Sequence, residues 1–310
     1  MHKTARFRLM DALFLCITLL PIAAGVVLYI LTEPLSEGIT VSGARIFFTI
    51  PMPLQDLPIT ESQVNSWLVL VSIFGLCLYL THGVTKIPQS KRQLAAEWIV
   101  EKSQSFVNGN MGERFAGFAP FIAAIMALSA FSSLLSLFGL YPPTSDFNIV
   151  AGWAVLVFVL ITHYKLKGGM GNYLKGFAEP IPVFAPFNVI SEVATPISMT
   201  FRHYGNILSG TVISTLVMAG LQGLSSLLLS WLPGIFGDVP WLQIGIPAVL
   251  SVYFDLFSGC LQAFIFAMLT MLNISMGFPE EAFEKRQMKK EKCKQSKLPQ
   301  RGIQEVNEHD

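Results

Sequence analysis

A single arginine, Arg202, lies inside one of the longest apolar stretches of this 310-residue chain, within the segment SMTFRHYGNILSG at 198–210. An arginine near the centre of a membrane-spanning helix costs at least about 2.5–3.5 kcal/mol on insertion scales. A side chain kept at this cost needs a compensating negative charge or a water-filled passage. Arg202 is therefore the first candidate functional residue.

Other polar side chains share one face of the predicted helix with Arg202. At about 100° per residue they fall within an arc of about 120°. Together with Arg202, the stripe comprises Asn188, Glu192, Thr195, Ser198, Asn206 and Ser209. A polar stripe of this length is too costly to face lipid, so it is expected to face a partner protein or a water-filled passage.

The last apolar segment carries a second polar stripe. Its members are Ser251, Asp255, Ser258, Gln262 and Asn273, with Gly259 among them allowing close helix approach. Such stripes can simply join helices by hydrogen bonds, and Arg202 can pair with Asp255. Intramembrane charges are nevertheless typical of ion pathways, and one ion pair does not require two long polar faces. We therefore favour an ion pathway.

Composition predicts the elements that position these residues. The chain is 52% hydrophobic and 13% charged, with a mean hydropathy of +0.55, whereas soluble domains carry about 25% charged residues. Apolar runs long enough to span about 30 Å of hydrocarbon occupy 12–31, 65–83, 117–139, 148–164, 188–229 and 241–276. The last two are too long for one perpendicular crossing, which indicates tilted or broken helices, the second after a break at 231–242. We expect an all-α polytopic integral membrane protein.

The distribution of positive charge predicts the orientation. All of the 21 Lys and Arg residues except Arg45 and Arg202 lie before the first run or within 84–115, 165–187 and 285–301. The positive-inside rule then places both termini in the cytoplasm, and we expect the plasma membrane of a bacterium. The first run is either a signal peptide or an uncleaved extra span, and the lack of a small-residue cleavage site favours the span.

Three further segments have plain explanations. Residues 90–111 fit an amphipathic helix on the cytoplasmic interface or a simple connecting helix. GGMGNYLKG at 168–176 lacks the order of a phosphate-binding loop and predicts a cytoplasmic turn. The basic run at 284–297 could attract anionic lipid or nucleic acid, but its interspersed glutamates favour a solvated tail. We expect no nucleic-acid partner, no metal, no cofactor and no catalytic residue.

Two motifs identify a family resemblance. PISMTFRHYGNILSG at 196–210 and CLQAFIFAMLTMLNISM at 260–276 resemble the a subunit of rotary F-type ATP synthases, and PPTSDFN at 142–148 is also similar. The likeness covers roughly 40–278. It leaves 1–39 as an extra transmembrane segment with the start of an outer loop, and 279–310 as a basic cytoplasmic tail.

The resemblance implies a stator in which the last two helices form a long tilted hairpin facing a ring of c subunits. Arg202 matches the family's essential arginine, which attracts each passing c-subunit carboxylate and blocks a leak between two offset half-channels. Asn206 and Gln262 match polar positions near it. Asp255 takes the place of an ionisable residue of the outer half-channel, and Glu192 is expected to line the inner one.

The resemblance also implies partners, namely the c ring, the peripheral-stalk b subunits and the rest of the ATP synthase in the lipid bilayer. The chain itself carries no ATP chemistry. Two departures leave the proton path and the choice between H⁺ and Na⁺ open. Thr211 stands where many relatives have Glu, and His203-Tyr204 replaces an apolar pair. His203 is a possible relay or a packed, hydrogen-bonded side chain, and Ser198 is a second possible relay.

Two alternative functions follow from the same residues. A self-contained secondary transporter could bind an anionic substrate at Arg202, although no internal repeat is apparent. A structural membrane assembly protein would tolerate the loss of the arginine.

Overall fold

The computed structural model describes residues 2–32, 43–53, 55–86, 90–178, 181–229, 241–243, 245–281, 283–285 and 288. Its helices are α1 His2–Thr32, α2 Glu61–Thr81, α3 Lys91–Met111, α4 Ala119–Leu134, α5 Phe147–Leu166, α6 Met170–Ala178, α7 Ala185–Leu229, α8 Ile246–Ser251 and α9 Gly259–Gly277. A π-helical segment, Val252–Ser258, joins α8 to α9 without interruption. Short 3₁₀ helices precede α4 and α7, at Glu113–Phe118 and Pro182–Phe184.

Six helices in the described part of the chain are long and apolar enough to cross a membrane. They span Phe7–Leu31, Glu61–Thr81, Glu113–Phe138, Phe147–Leu166, Pro182–Leu228 and Ala248–Gly277. Their surfaces are apolar as well, since Leu216 is 65% exposed and Leu227 is 75% exposed. Soluble proteins rarely expose apolar surface on this scale. The predicted all-α polytopic fold is confirmed.

Three details differ from the sequence-based expectation or fall outside it. A short antiparallel hairpin of β1 Ile46–Ile50 and β2 Leu57–Thr60 precedes α2. The predicted turn at 168–176 is mostly helical, because α6 begins directly after Gly169, whose positive φ of 106° completes the turn. The predicted break at 231–242 and the basic tail lie largely outside the described residues.

The chain divides into two compact units. The first comprises Met1–Ala154 and Pro196–Leu272, and the second comprises Val155–Thr195 and Asn273–Asp310. The boundary within α7 falls at Pro196, a residue without a backbone N–H. Each unit is described by itself below.

In the first unit, α7 and the last helix form an antiparallel hairpin. The Asn206 side chain donates to Ser258 Oγ at 2.7 Å, and the Gln243 side chain donates to the Met218 carbonyl at 2.7 Å. Between these contacts, a Cβ added at Gly210 would lie only 3.0 Å from the Phe254 ring. Residue numbers increase along α7 from 206 to 218, while those of the contact partners decrease from 258 to 243. The two helices are therefore antiparallel.

A charged cluster joins the N-terminal helix α1 to the rest of the first unit. Arg92 Nη1 on α3 lies 2.6 Å from Asp11 Oδ1, and His82 Nδ1 lies 2.9 Å from the same oxygen. The Arg92 guanidinium also stacks over the Phe7 and Tyr79 rings. An acidic residue in an apolar helix thus finds its counter-charge on α3.

A close approach of α1 and α2 yields a first prediction. A Cβ on Gly75 would lie 2.8 Å from the backbone nitrogen of Thr18, which cannot move aside as a side chain can. Gly75→Leu is therefore expected to destabilise the protein by about 1–3 kcal/mol through overpacking. The measurement is the thermal denaturation midpoint of the detergent-solubilised protein.

Gly220→Leu is the matched control, because nothing lies within 4 Å of the Cβ position at Gly220. Both variants gain the same helix propensity from the replacement of glycine. Equal midpoints for the two variants would show that α1 and α2 do not pack closely at Gly75.

Candidate functional site

Arg202 lies on α7 with its side chain exposed on the surface of the first unit. Arg202 and Asp255 both belong to the described part of the chain, and they do not form an ion pair with each other. The internal ion pair considered from sequence is therefore excluded. Among the described residues, Asp255 is therefore not the counter-charge of Arg202.

The two polar stripes meet beside Arg202. The hydrogen bond from Asn206 to Ser258 joins one stripe directly to the other. Gln262, one turn beyond Ser258, is 4% exposed and therefore lies inside the helix packing. A Cβ on Gly259 would come within 2.8 Å of the Ser133 side chain. The small residue predicted to permit close approach does so toward α4.

Asp255 sits within the π-helical segment that joins α8 and α9. Single π-helical turns are rare and occur frequently at functional sites. Asp255 is half-buried, and the hydroxyls of Ser136 and Ser251 lie near its carboxyl group. The site presents a carboxyl group among hydroxyls, a suitable environment for proton exchange.

In the second unit, Glu192 belongs to a polar cluster. Its Oε1 lies 3.0 Å from Lys165 Nζ, and the Glu192 side chain is only 11% exposed. The Tyr173 hydroxyl donates to the same oxygen at 3.1 Å. These three side chains come from α7, α5 and α6, so the turn between α5 and α6 assembles the cluster.

The Glu192 cluster borders a cavity of about 450 Å³ within the second unit. Its lining includes the polar residues Asn172, Asn188, Ser191 and Thr195. The Asn188 side chain donates to the Phe177 carbonyl at 2.8 Å. Residues of the predicted stripe therefore line a polar cavity next to a carboxylate, an arrangement that could hold water.

The two possible relay residues lie in opposite environments. Ser198 is exposed. His203 is fully buried, with Nε2 3.3 Å from Ser129 Oγ, and its Nδ1 has no hydrogen-bond partner among the described residues. Of the two roles considered for His203, this environment fits a packed, hydrogen-bonded side chain.

Some members of the site carry no sequence signal. Lys165 and Tyr173 reach Glu192 only because the turn after α5 folds α6 back. Ser136 lies near Asp255 because the 3₁₀ helix Leu135–Phe138, which follows α4, adjoins the π-helical segment. The sequence hint is the spacing of the serines, since Ser129, Ser133 and Ser136 recur at intervals of four and three residues. Among the described residues, no group of three His, Cys, Asp or Glu side chains could hold a metal ion.

Comparison with known proteins yields consistent matches. The family described as ATP synthase A chain matches residues 63–275. ATP synthase subunit a 1 of Crocosphaera subtropica is 32% identical over 226 residues, covering 72% of this chain and 89% of that protein. ATP synthase subunit a of Acidothermus cellulolyticus is 34% identical over 222 residues, covering 68% and 74% respectively. ATP synthase subunit a of Macrococcus caseolyticus is 31% identical over 218 residues, covering 66% and 83%.

The Glu192 cluster yields a second prediction. Burial, followed by the neighbouring Glu192 carboxylate, raises the pKa of Tyr173 above its ordinary value. Glu192→Gln removes the negative charge but not the burial, so the pKa of Tyr173 is expected to fall while staying above that of a free tyrosine. The measurement is a spectroscopic titration of the phenol in the wild type and the variant.

The Tyr173→Phe variant, with and without Glu192→Gln, identifies which part of the titration belongs to Tyr173. An identical Tyr173 titration in the two backgrounds would contradict the contact between the phenol and the carboxylate.

Proposed function

This chain belongs to the ATP synthase A chain family, whose members are multi-pass subunits of the membrane sector of the F-type ATP synthase, and on that basis we propose that it is the ion-conducting stator of the complex. Two half-channels in this subunit pass H⁺ or Na⁺ to and from carboxyl groups on a rotating ring of c subunits. Ion flow is thereby coupled to rotation and to ATP synthesis elsewhere in the complex. This chain makes and breaks no ATP bond itself.

The observation that carries the proposal is the exposed guanidinium of Arg202, which does not pair with Asp255. A permanent charge within a membrane-spanning helix is costly unless a counter-charge lies next to it. A carboxylate on a neighbouring c subunit supplies that counter-charge. The arginine in turn lowers the pKa of the carboxyl group and promotes release of its ion.

Different residues serve the two half-channels. Asp255 exchanges ions on the outer side, and Asn206 and Gln262 keep the helix interface beside Arg202 polar. Glu192 serves the inner side, where a polar cavity adjoins its carboxylate. Arg202 separates the two paths and prevents a direct leak. Because one charge crossing 100 mV releases about 2.3 kcal/mol, a leak would waste the work of synthesis.

The assembly proposed around this chain follows from the same assignment. The α7–α9 hairpin faces the c ring, and other surfaces meet the peripheral-stalk b subunits. Residues 40–278 form the a-subunit core, 1–39 add an extra span and the start of an outer loop, and 279–310 form a basic cytoplasmic tail. Both termini lie in the cytoplasm, because nearly all Lys and Arg residues flank the spans on that side.

A third prediction tests the arginine directly. Arg202→Ala is expected to abolish ATP-driven ion uptake almost completely, because Arg202 is the only Lys or Arg within the apolar runs of the sequence and the variant leaves no positive charge there for the passing carboxylate. The measurement is ion uptake into inverted membrane vesicles that contain the whole complex. Parallel assays with and without Na⁺, and with a protonophore, identify the ion in the wild type.

Thr215→Ala is the control, since within the described part of the chain the Thr215 hydroxyl bonds only the Thr211 carbonyl of its own helix, at 2.8 Å. It is expected to transport as the wild type does. Wild-type uptake by an assembled Arg202→Ala complex would refute the stator role. Purification of the chain without c and b subunits would instead favour a self-contained transporter.

A further inference from the structure

The residues flanking Arg202 are anchored to several other helices of the first unit. Phe201 and Tyr204 both pack against the Phe147 ring at the start of α5, with centroid distances of 5.4 and 5.6 Å. Asn206 bonds Ser258 in the π-helical segment. Arg202 is thus an exposed residue whose neighbours along α7 contact other helices.

His203 is the most enclosed of these flanking residues. Its side chain is 0% exposed. The imidazole meets the Trp153 ring of α5 edge-on at 6.0 Å and the Phe266 ring of α9 at 5.4 Å. Its Nε2 lies 3.3 Å from Ser129 Oγ on α4. One side chain therefore contacts three different helices.

These contacts bear on the direction of Arg202 through helix geometry. Successive side chains on an α-helix are separated by about 100°, so fixing the direction of residue 203 also fixes that of residue 202. Any rotation of α7 that turned Arg202 away from the surface would pull His203 out of its enclosure. Apolar packing alone tolerates small rotations, whereas a hydrogen bond to Ser129 is directional.

We infer that His203 is a positioning residue that holds Arg202 toward the c-subunit carboxylate, an inference that rests on the proposed function. Its role requires a buried side chain that can hydrogen-bond to Ser129, and it does not require proton exchange. The structure supports this separation of roles, since Arg202 is exposed and the adjacent His203 is buried. In the stator, His203 acts only through Arg202.

The test compares variants at position 203 in the complete complex. His203→Ala removes the anchor, and His203→Gln keeps a hydrogen-bonding side chain that cannot titrate near neutral pH. Thr200→Val is the matched control, because Thr200 is also buried at 4% exposure and its hydroxyl bonds only the Pro196 carbonyl of its own helix, at 2.8 Å. The readout is ion uptake per ATP hydrolysed in inverted vesicles, with assembly monitored by co-purification of the c subunits.

In assembled His203→Ala complexes, uptake per ATP is expected to fall at least about tenfold, since a 1 Å misplacement can cost about 10²-fold in a positioned reaction. His203→Gln and Thr200→Val are expected to stay near the wild type. A wild-type ratio in His203→Ala overturns the inference. Equal impairment of His203→Gln and His203→Ala also overturns it, because that result assigns His203 a titrating relay role.

A second variant covers the case in which His203→Ala does not assemble. Ser129→Ala removes only the hydrogen-bond partner and is expected to assemble with a smaller loss of uptake per ATP. A wild-type ratio in Ser129→Ala would then overturn the inference. Arg202→Ala, run in the same series, tests the proposed function separately: transport by that variant rejects the stator role whatever the position-203 variants show.

Discussion

The structure depends on the cost of holding one permanent charge inside an apolar helix. The hydration lost by a guanidinium in hydrocarbon is recovered only through a counter-charge or water. The candidate counter-charge within this chain, Asp255, does not pair with Arg202, and Arg202 is exposed. The described part of the chain therefore places this charge on an exposed helix face, which is the basis for the partner carboxylate that we propose.

Two acidic residues elsewhere in the helices are paired with basic side chains of the same chain. Asp11 pairs with Arg92 and His82, and Glu192 pairs with Lys165. Each acidic group is neutralised by a base from a different helix, so each pair also fixes the packing of two elements. Arg202 differs from these groups because it is exposed, while the neighbouring His203 side chain is buried.

Close helix approach makes this arrangement possible. Gly75, Gly210 and Gly259 each lie where a Cβ would meet a neighbouring helix at 3.0 Å or less. Without a strong hydrophobic force between helices in lipid, such contacts and interhelical hydrogen bonds supply most of the association energy. The hydrogen bond between Asn206 and Ser258 lies within one of these close-packed regions. Packing and polarity thus act together along the α7–α9 hairpin.

The sequence by itself determined the membrane class, the six spans and the candidate polar stripes. Hydropathy and helical periodicity are local properties, and both act before any tertiary contact forms. Family membership followed from motifs that are equally local. The α3 helix was also predictable, because Ser90 caps it and its charged and apolar residues suit the interface.

Only the tertiary structure decided which side chains meet. The pairing of Lys165 and Tyr173 with Glu192 depends on the turn that folds α6 back toward α7. The π-helical segment around Asp255 breaks the 100° spacing on which a helical wheel relies. The inward direction of His203 depends on three other helices at once. These features are contacts between elements distant in sequence, and local spacing contains no information about them.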